Sequence, residues 1–341
     1  HELRATSSWA TGVLTPNMRQ VVLVSGNRFD TFQIMQQRSF DIKASLKIWK
    51  EYEILSNEEY SKVILYKINL LLKLMNSLHE KNIKVDSWKI WCEPTIDKLC
   101  YHSGALIKIY YGTNLPYKHE GKDILIFDEP SMLILFRAIL ENYLTYFYMF
   151  GSNDSEEIKY FRNLVWRYSG IVQRTEFEIN TKEAKEKQKK EVEFLNSLKE
   201  ELLKSELFNR YDKKAQGIIL KGRKPRLFKS WPDLIKESKL NTLLFRNLYG
   251  YKSNYSHTEF ISVLQVHQGG YGHKANNVKS HHLLLLLHGI ICKTILELKS
   301  FFPTIESEYD SIEPMLQDEI SSLANIISSS NPFLQNPEEF T

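Results

Sequence analysis

The fold class that the sequence predicts is all-α, a multi-helix bundle, and three observations predict it. From about residue 31 onward, apolar residues recur at the three- and four-residue spacing of helices. Few runs alternate apolar and polar residues between turn signals, as half-buried strands do. Several apolar segments follow a Ser or Asp with acidic residues close behind, which is typical of a helix N-terminus. The composition, 43% hydrophobic and 25% charged, is that of a compact globular protein.

The chain has 341 residues, enough for one large domain or two. We predict a single helical domain over residues 31–330, because the charged stretch 180–206 fits a helix inside the fold better than a linker. Residues 331–341 are expected to be a C-terminal tail. Residues 1–30 are expected to be an N-terminal extension or a segment added for expression.

The first predicted helix begins at Ser56, which can cap it, and ends at about His79. Its apolar residues at helical spacing are Val63, Ile64, Ile68, Leu71, Leu72, Met75 and Leu78. A second predicted helix covers residues 87–111. Pro94 interrupts it early, and Gly112 can terminate it.

The third and fourth predicted helices each follow an aspartate that can act as the N-cap. Asp128 precedes "EPSMLILFRAILENYLTYFYMF", the most apolar long helix in the sequence, which stops at Gly151. Asp154 is followed by two glutamates and opens a helix to about Val172.

The next segment, residues 180–208, alternates acid and base at helical spacing and predicts a long, partly solvent-bridging helix. Glycines and prolines between residues 217 and 232 indicate a loop. Helices are predicted again at 231–238 and at 241–249. Ser280 can cap a further helix that stops before Pro303, and a last helix is predicted at about 309–329.

Charge and cysteine usage exclude several classes of protein. Forty-five basic and forty-one acidic residues give +4, too small an excess to identify a nucleic-acid binder without local clustering. The three cysteines form no CxxC pair, so neither a disulfide scaffold nor a zinc ribbon is supported. A reducing cytoplasm fits this usage best.

The longest apolar run, "HLLLLLHGII" at 282–291, is about half the roughly 20 residues that a transmembrane helix needs. We therefore predict a buried helix and no membrane association. The first residues also lack the basic segment, apolar core and cleavage site of a secretory signal.

Arg137 and Glu141 are the first candidate site residues, because they lie four apart on one face of the apolar helix 129–150. A charged pair on such a helix is costly to bury unless each charge finds partners. One interpretation is an internal ion pair that fixes helix packing. The other is a functional site at a cleft between helices.

The stretch "FRNLYGYKSNYSHTEF" (245–260) holds the second set of candidates. His257 can act as a general base near neutral pH, and Arg246 can hold a phosphate oxygen through two donors. Tyr255 and Ser256 precede the histidine and are candidates for substrate binding. Together these residues can cleave a phosphodiester without a metal. The alternative is a histidine satisfied by backbone groups in a packed turn.

Five basic residues gather in "IILKGRKPRLFKSWP", within the predicted loop. Arg223, Lys224 and Arg226 are the candidates there for contacts with a phosphate-bearing ligand. Such charge runs are more often solvated faces, and that alternative stays open.

The remaining histidines do not form a recognisable ligand site. The segment "VHQGGYGHKANN" (266–277) contains His267 and His273 but matches no phosphate-binding loop, and we expect a flexible loop. His281 and His288 are separated by about 10 Å along a helix, so they do not chelate one ion on their own. No metal and no cofactor are expected.

From Asp128 onward, the order of features resembles an uncharacterised bacterial family of helical proteins that is known only as a domain of unknown function. The resemblance rests on "LFRAILENYLTYFYMF", the charged helix after it, "YKSNYSHTEF" and the final apolar helix, and covers about two thirds of the chain. That family is similar to HEPN domains (higher eukaryotes and prokaryotes nucleotide-binding), which are helical bundles frequent in toxin–antitoxin and antiphage systems. The resemblance implies a HEPN-like core with additional helices.

Many HEPN domains are metal-independent ribonucleases whose signature is arginine, four to six residues, then histidine. Here the window before His257 holds Tyr251 and Lys252 instead of arginine. Lys252 can replace the charge but not the two-donor fork of arginine. Arg137, from another helix, is the alternative phosphate contact, with Glu141 orienting it.

Three hypotheses follow for function. The first is a defence or toxin protein that cleaves RNA, with His257 as general base and Arg137 or Lys252 at the phosphate. The second is a non-catalytic module that binds nucleic acid, a nucleotide or a cognate protein. The third is a structural subunit that dimerises through its aromatic helices, since 12% of the residues are aromatic. A homodimer is compatible with all three.

Overall fold

The computed structural model describes residues 50–52, 54–119, 122–126, 128–256, 259–269 and 277–328. Within these ranges the chain is mainly helical, which confirms the all-α prediction in its coarse form. The contacts group the chain into two compact units. The larger unit comprises residues 1–146 and 235–341, and the smaller unit comprises 147–234. The single domain expected over 31–330 stays a prediction.

The first helix of the larger unit, α1 (Asn57–Glu80), begins as predicted. Ser56 and Glu59 form a capping box, in which the Ser56 N–H donates to Glu59 Oε2 over 2.9 Å and the Glu59 N–H donates to Ser56 Oγ over 3.3 Å. One face of α1 is buried. The buried apolar residues on it are Tyr60, Val63, Ile64, Ile68, Leu70, Leu71, Leu74, Met75 and Leu78.

The second helix, α2 (Cys92–Tyr110), begins five residues later than predicted, after a short 3-10 turn at Lys89–Trp91. Pro94 lies in its first turn and does not interrupt it, because the first N–H groups of a helix have no partner within the helix. The helix ends as predicted at Gly112, whose φ of 83° lies in the left-handed region that glycine adopts without strain.

A two-stranded antiparallel hairpin follows, and the sequence did not predict it. Strand β1 (Thr113–His119) pairs with β2 (Lys122–Ile126), from Thr113 opposite Ile126 to His119 opposite Lys122. The pairing is irregular between Leu115 and Lys118, where Pro116 has no N–H to donate to a ladder. That irregularity explains why the alternating pattern of a strand is absent from the sequence.

The apolar helix predicted after Asp128 is α3 (Glu129–Tyr146), continued by one π-helical turn at Phe147–Gly151. The Ser131 N–H donates to the Asp128 carboxylate over 3.0 Å, which is the predicted cap. The helix buries residues on several sides, namely Met132, Leu133, Phe136, Ile139, Leu140, Asn142, Tyr143, Leu144 and Tyr146.

The smaller unit is built on α4 (Glu156–Thr175) and α5 (Lys182–Lys204), which pack against each other. Two short helices follow, α6 (Glu206–Asn209) and α7 (Lys213–Leu220), so the predicted loop begins only at Lys221. The core residues of this unit are Phe161, Leu164, Val165, Tyr168, Leu198, Leu202, Phe208 and Ile219.

The N-cap predicted for α4 was wrong by one residue. Ser155, not Asp154, accepts the hydrogen bond from the Ile158 N–H, over 3.4 Å. Asp154 instead forms an ion pair with Arg162 at 2.8 Å. The same Arg162 donates to the Tyr148 carbonyl over 3.0 Å. This buried guanidinium therefore links the chain before α4 to the helix itself.

The next helix begins in the smaller unit and ends in the larger one, and the helices after it belong to the larger unit. After α8 (Trp231–Glu237) comes α9 (Thr242–Ser256), whose N-terminus is capped by the Asn241 side chain, and then α10 (Phe260–Gly269). Helix α9 therefore runs seven residues past the predicted end at Tyr249. Helix α10 was not predicted, and it occupies the first residues of the expected glycine-rich loop; residues 270–276 lie outside the described ranges.

The centre of the larger unit is α11 (Asn277–Phe301), which packs against α1, α3 and the last helix. It begins three residues before the predicted cap at Ser280. Two helices, α12 (Glu306–Asp310) and α13 (Pro314–Ile326), take the place of the single final helix that was predicted. The second begins at Pro314, because proline is favoured at the first position of a helix. No helix in the described part of the chain has the length and apolarity to cross a membrane.

Candidate active site

Two helices of the larger unit, α3 and α9, bring Arg137, Glu141 and Tyr249 into one hydrogen-bonded cluster. Arg137 Nε donates to Glu141 Oε1 over 3.0 Å, and its Nη2 donates to the Tyr249 hydroxyl over 3.1 Å. That hydroxyl donates its own hydrogen to Glu141 Oε1 over 3.1 Å. Each side chain contacts the other two, and we call this arrangement the Arg–Glu–Tyr cluster.

The Arg–Glu–Tyr cluster is partly open to solvent, since the side chain of Arg137 is 20% exposed and that of Glu141 is 30% exposed. The guanidinium carbon lies 4.8 Å from the centre of the Tyr249 ring, within cation–π distance. Burial on its own would lower the pKa of Arg137, but the hydrogen bond to Glu141 and the charges nearby outweigh it and raise that pKa. Arg137 therefore keeps its positive charge, next to the Glu141 carboxylate, at a part-exposed position.

The pKa of Tyr249 is raised, first by burial and then by the neighbouring Glu141 carboxylate. The phenol consequently keeps its proton at neutral pH. It can accept from Arg137 and donate to Glu141 at the same time, as its distances to both require.

The other candidates near this cluster lie on or just beyond α9. Positions 252 and 256 follow Tyr249 at intervals of three and seven, which is the spacing of one helix face. The backbone of Lys252, Tyr255 and Ser256 belongs to the last turns of α9, and their side chains are not described. His257 follows the helix directly and lies outside the described residues.

The remaining predicted ligand contacts are spread over both units. Arg246 is exposed on α9, one turn before Tyr249. Arg223, Lys224 and Arg226 belong to the smaller unit. Arg223 forms an ion pair with Glu176 at 3.2 Å, and Arg226 lies over the Trp231 ring at 3.7 Å. Lys224 is exposed.

A second polar cluster, which sequence reasoning missed, is buried between α1, α11 and α13. Lys67 and Glu319 form an ion pair at 3.0 Å, and the Tyr52 hydroxyl also donates to Glu319. The Tyr60 hydroxyl lies 3.4 Å from His288 Nδ1. Lys67 and His288 have no exposed surface. We call these five residues the buried Lys–Glu–His cluster.

Burial sets the protonation of His288. Desolvation, reinforced by the positive charge of Lys67, holds the pKa of His288 well below its usual range. Desolvation likewise raises the pKa of the Cys292 thiol one turn further along α11. Both groups are therefore neutral at pH 7, and the thiol is not a nucleophile.

His281, one of the histidines considered for a metal, has a different role. Its Nε2 lies 3.0 Å from the Tyr52 carbonyl and must donate to it, and its Nδ1 lies 3.0 Å from the Tyr110 hydroxyl, from which the neutral ring accepts. Among the residues that the structure describes, no group of three His, Cys, Asp or Glu side chains lies close enough to hold a metal ion. His267 is exposed on α10, and His273 lies outside the described ranges.

A third polar site joins α3 and α11. The Tyr143 hydroxyl donates to Glu297 Oε1 over 2.9 Å, and Lys293 lies 3.5 Å from the same oxygen. Burial raises the pKa of Glu297 to about 7, against the opposing effects of Lys293 and Tyr143. This carboxyl titrates within the physiological pH range.

The sequence did hold a signal for these buried groups. Lys67 interrupts the apolar face of α1, and His288 and Glu297 interrupt the apolar pattern of α11. A charged residue at such a position needs a buried partner. The partner itself is far away in the sequence, as Glu319 is from Lys67, and only the packing of the helices identifies it.

The segment that contains the Arg–Glu–Tyr cluster matches a known protein family model. Residues 127–272 match the family model described as "Family of unknown function (DUF5677)". The match covers less than half of the chain, and it contains α3, the smaller unit and α9. It supports the expected relation to an uncharacterised domain family. Neither the curated proteins nor the solved structures give a match.

Proposed function

We propose that this protein is a HEPN-like helical protein of a defence or toxin system and cleaves RNA without a metal. The observation that carries the proposal is the Arg–Glu–Tyr cluster. It holds a part-exposed guanidinium against α9, the helix that leads directly into His257. All of these residues lie within the matched segment 127–272. In this proposal the protein acts in the cytoplasm, as a homodimer or with a cognate protein.

The proposed reaction is an internal transfer at phosphorus. His257, as general base, takes the proton of a ribose 2′-hydroxyl, and the resulting oxygen attacks the adjacent phosphorus. The bond from phosphorus to the 5′ oxygen of the next nucleotide breaks, and that oxygen takes up a proton. The products are a 2′,3′-cyclic phosphate and a 5′-hydroxyl, and no external nucleophile is consumed.

Arg137 is the group that stabilises the phosphate in this proposal. Negative charge on the non-bridging oxygens grows in the transition state, and a preorganised guanidinium stabilises it most effectively when held in place beforehand. Glu141 and Tyr249 hold Arg137 through separate nitrogens, so both act as positioning residues. Lys252 supplies a second positive charge, and Arg246, Tyr255 and Ser256 contact the RNA.

The test is cleavage of end-labelled single-stranded RNA in EDTA. Wild-type protein is compared with His257→Ala and with the matched control His282→Ala, which removes an exposed histidine from α11. We expect His257→Ala to lower the rate by about 10² to 10⁴, the usual contribution of a general base, and the control to cleave like wild type. The proposal would be contradicted if His257→Ala cleaved RNA as fast as wild type, or if pure wild-type protein did not cleave RNA.

The alternative is a non-catalytic module that binds nucleic acid, a nucleotide or a protein. One observation favours it: Arg137 already has two partners within the chain, as a residue that fixes the packing of α3 against α9 would have. This alternative predicts that RNA is recovered intact, whether or not the protein binds it. The same assay therefore decides between the two functions.

A further inference from the structure

A short part of the smaller unit carries a dense positive charge. Between residues 210 and 229 there are eight basic residues and a single acidic one, Asp212. Asp212 is used to cap α7, since its carboxylate accepts from the Ala215 N–H over 2.7 Å. Six of the basic residues are exposed, namely Arg210, Lys213, Lys214, Lys221, Arg223 and Lys224. One of them, Arg223, is paired with Glu176.

Near the two ends of this segment, the aromatic rings of Tyr211 and Phe228 contact each other. The rings of Tyr211 and Phe228 lie 6.0 Å apart, tilted by 45°. Tyr211 in turn stacks on the buried Phe161, with the ring centres 6.3 Å apart. Phe228 is 47% exposed although it is a large apolar side chain. Phe228 therefore contacts Tyr211 and still leaves about half of its surface to solvent, with basic residues before and after it in the chain.

The backbone around these rings is held by its own hydrogen bonds. Gln216 Nε2 donates to the Tyr211 carbonyl over 2.9 Å, and the Leu227 N–H donates to the Lys224 carbonyl over 2.8 Å. The Lys229 N–H donates to the Arg226 carbonyl over 3.1 Å. A surface that is ordered before binding loses less conformational entropy when a ligand arrives.

We propose that this basic–aromatic surface, formed by Arg210–Lys214 and Lys221–Lys229, binds single-stranded RNA. Closely spaced lysines and arginines contact the phosphates, and unpaired bases stack on Phe228, because every base has a flat face whatever its sequence. A duplex or an anionic membrane offers the charge without free base faces. The choice of RNA rests on the proposed function, but binding here needs no catalysis.

The test uses a fluorescently labelled 2′-O-methyl oligonucleotide, which has no 2′-hydroxyl to attack phosphorus and stays intact. Its dissociation constant is measured by anisotropy at several salt concentrations. We expect Phe228→Ala to weaken binding about tenfold, consistent with the loss of one stacked base, and Phe228→Trp to bind like wild type. The control Tyr101→Ala, which removes an exposed aromatic from α2, should have no effect.

The charge is tested with the double variant Lys213→Gln/Lys214→Gln. We expect weaker binding and a slope of log affinity against log salt that is shallower by about 1.4, the release expected for two single-strand phosphate contacts. The matched control Lys189→Gln/Lys190→Gln removes the same charge from exposed positions of α5. Equal losses in both double variants would overturn the proposal, because binding would then follow net charge alone.

Three other results would also overturn it: no binding at low salt, unchanged binding by Phe228→Ala, or equally tight binding of a duplex or of phosphatidylserine vesicles. The catalytic proposal fails on different results. If the probe binds at this surface but natural RNA is not cleaved, only the catalytic proposal is contradicted. If natural RNA is cleaved but the probe does not bind at this surface, only the present inference is contradicted.

Discussion

Arg137 is held through two of its nitrogens, so a lysine in its place is a sharp test of its role. We expect Arg137→Lys to lower RNA cleavage on the order of 10², because a single ammonium does not reproduce the fork that reaches Glu141 and Tyr249. Folding stability should change by less than about 1 kcal/mol, since the pair is part-exposed.

The matched control for that variant is Arg174→Lys. Arg174 also forms an ion pair with a glutamate, Glu191, at 2.8 Å, but in the smaller unit. It should cleave RNA like wild type. If Arg137→Lys cleaves as fast as this control, the cluster positions helices and not a phosphate.

His288 makes stability depend on pH. Its folded pKa is depressed below 6.5 and its unfolded pKa is ordinary, so the unfolded chain binds one more proton in acid. The stability from the neutral histidine is present above pH 6.5 and is lost as the pH falls below it. In urea unfolding, the wild type should lose about 1.4 kcal/mol more than His288→Gln between pH 7.5 and 5.5.

Other groups also titrate in this experiment, and comparing the two proteins cancels their effect. Near His288, the charge of Lys67 acts on its pKa, and the Tyr60 hydroxyl lies 3.4 Å from its Nδ1. Glu297 changes folding stability in the opposite direction. Its pKa is raised to about 7, so its contribution to stability is present below pH 4.5 and is lost as the pH rises through 7. Identical pH profiles for wild type and His288→Gln would show that His288 binds its proton in the folded state.

At the residue scale, local pairs could be predicted and distant ones could not. The contact between Arg137 and Glu141 follows from their spacing of four on a helix. Tyr249 joins them from another helix, 112 residues from Arg137, and no spacing rule reaches that far. The roles predicted for His257 and Lys252 stay predictions.

At the scale of elements, α11 and the end of α13 approach each other at a glycine. A Cβ added at Gly289 would lie 2.6 Å from Ile327 Cγ2, too close for any real contact. We expect Gly289→Ala to destabilise the fold by about 1 to 3 kcal/mol through overpacking, although alanine favours a helix by about 1 kcal/mol. Thermal or urea unfolding measures the difference.

Gly104 provides the matched control in the same unit. It lies within α2, and an added Cβ there would meet nothing within 4 Å. Gly104→Ala should therefore stabilise the protein by about 0.4 to 1 kcal/mol. Similar effects of the two substitutions would contradict the close approach of the helices.

Helix positions could be predicted because caps and apolar spacing are local. Ser56 and Asp128 cap the helices that they were expected to cap. Two helices were predicted with the wrong bounds: Pro314, itself a local signal, begins a new helix within the predicted last one, and α9 runs to Ser256 past its predicted end. The β1–β2 hairpin was missed because a proline and an irregular register remove its alternation.

At the scale of the whole molecule, the net charge of +4 conceals how the charge is distributed. The total gives no reason to expect nucleic acid as a ligand. One stretch of the smaller unit nevertheless holds eight of the basic residues within twenty positions. In the larger unit, by contrast, Lys67 and Glu319 form a buried ion pair. A local accounting of charge is therefore more informative than the total.

The central claim is that this protein cleaves RNA by internal attack of a 2′-hydroxyl. Mass spectrometry of the product ends, after incubation of wild-type protein with RNA in EDTA, tests it most directly. We expect 2′,3′-cyclic phosphate and 5′-hydroxyl ends with wild-type protein, and neither with His257→Ala. Intact RNA, or cleavage that leaves 3′-hydroxyl ends, would contradict it.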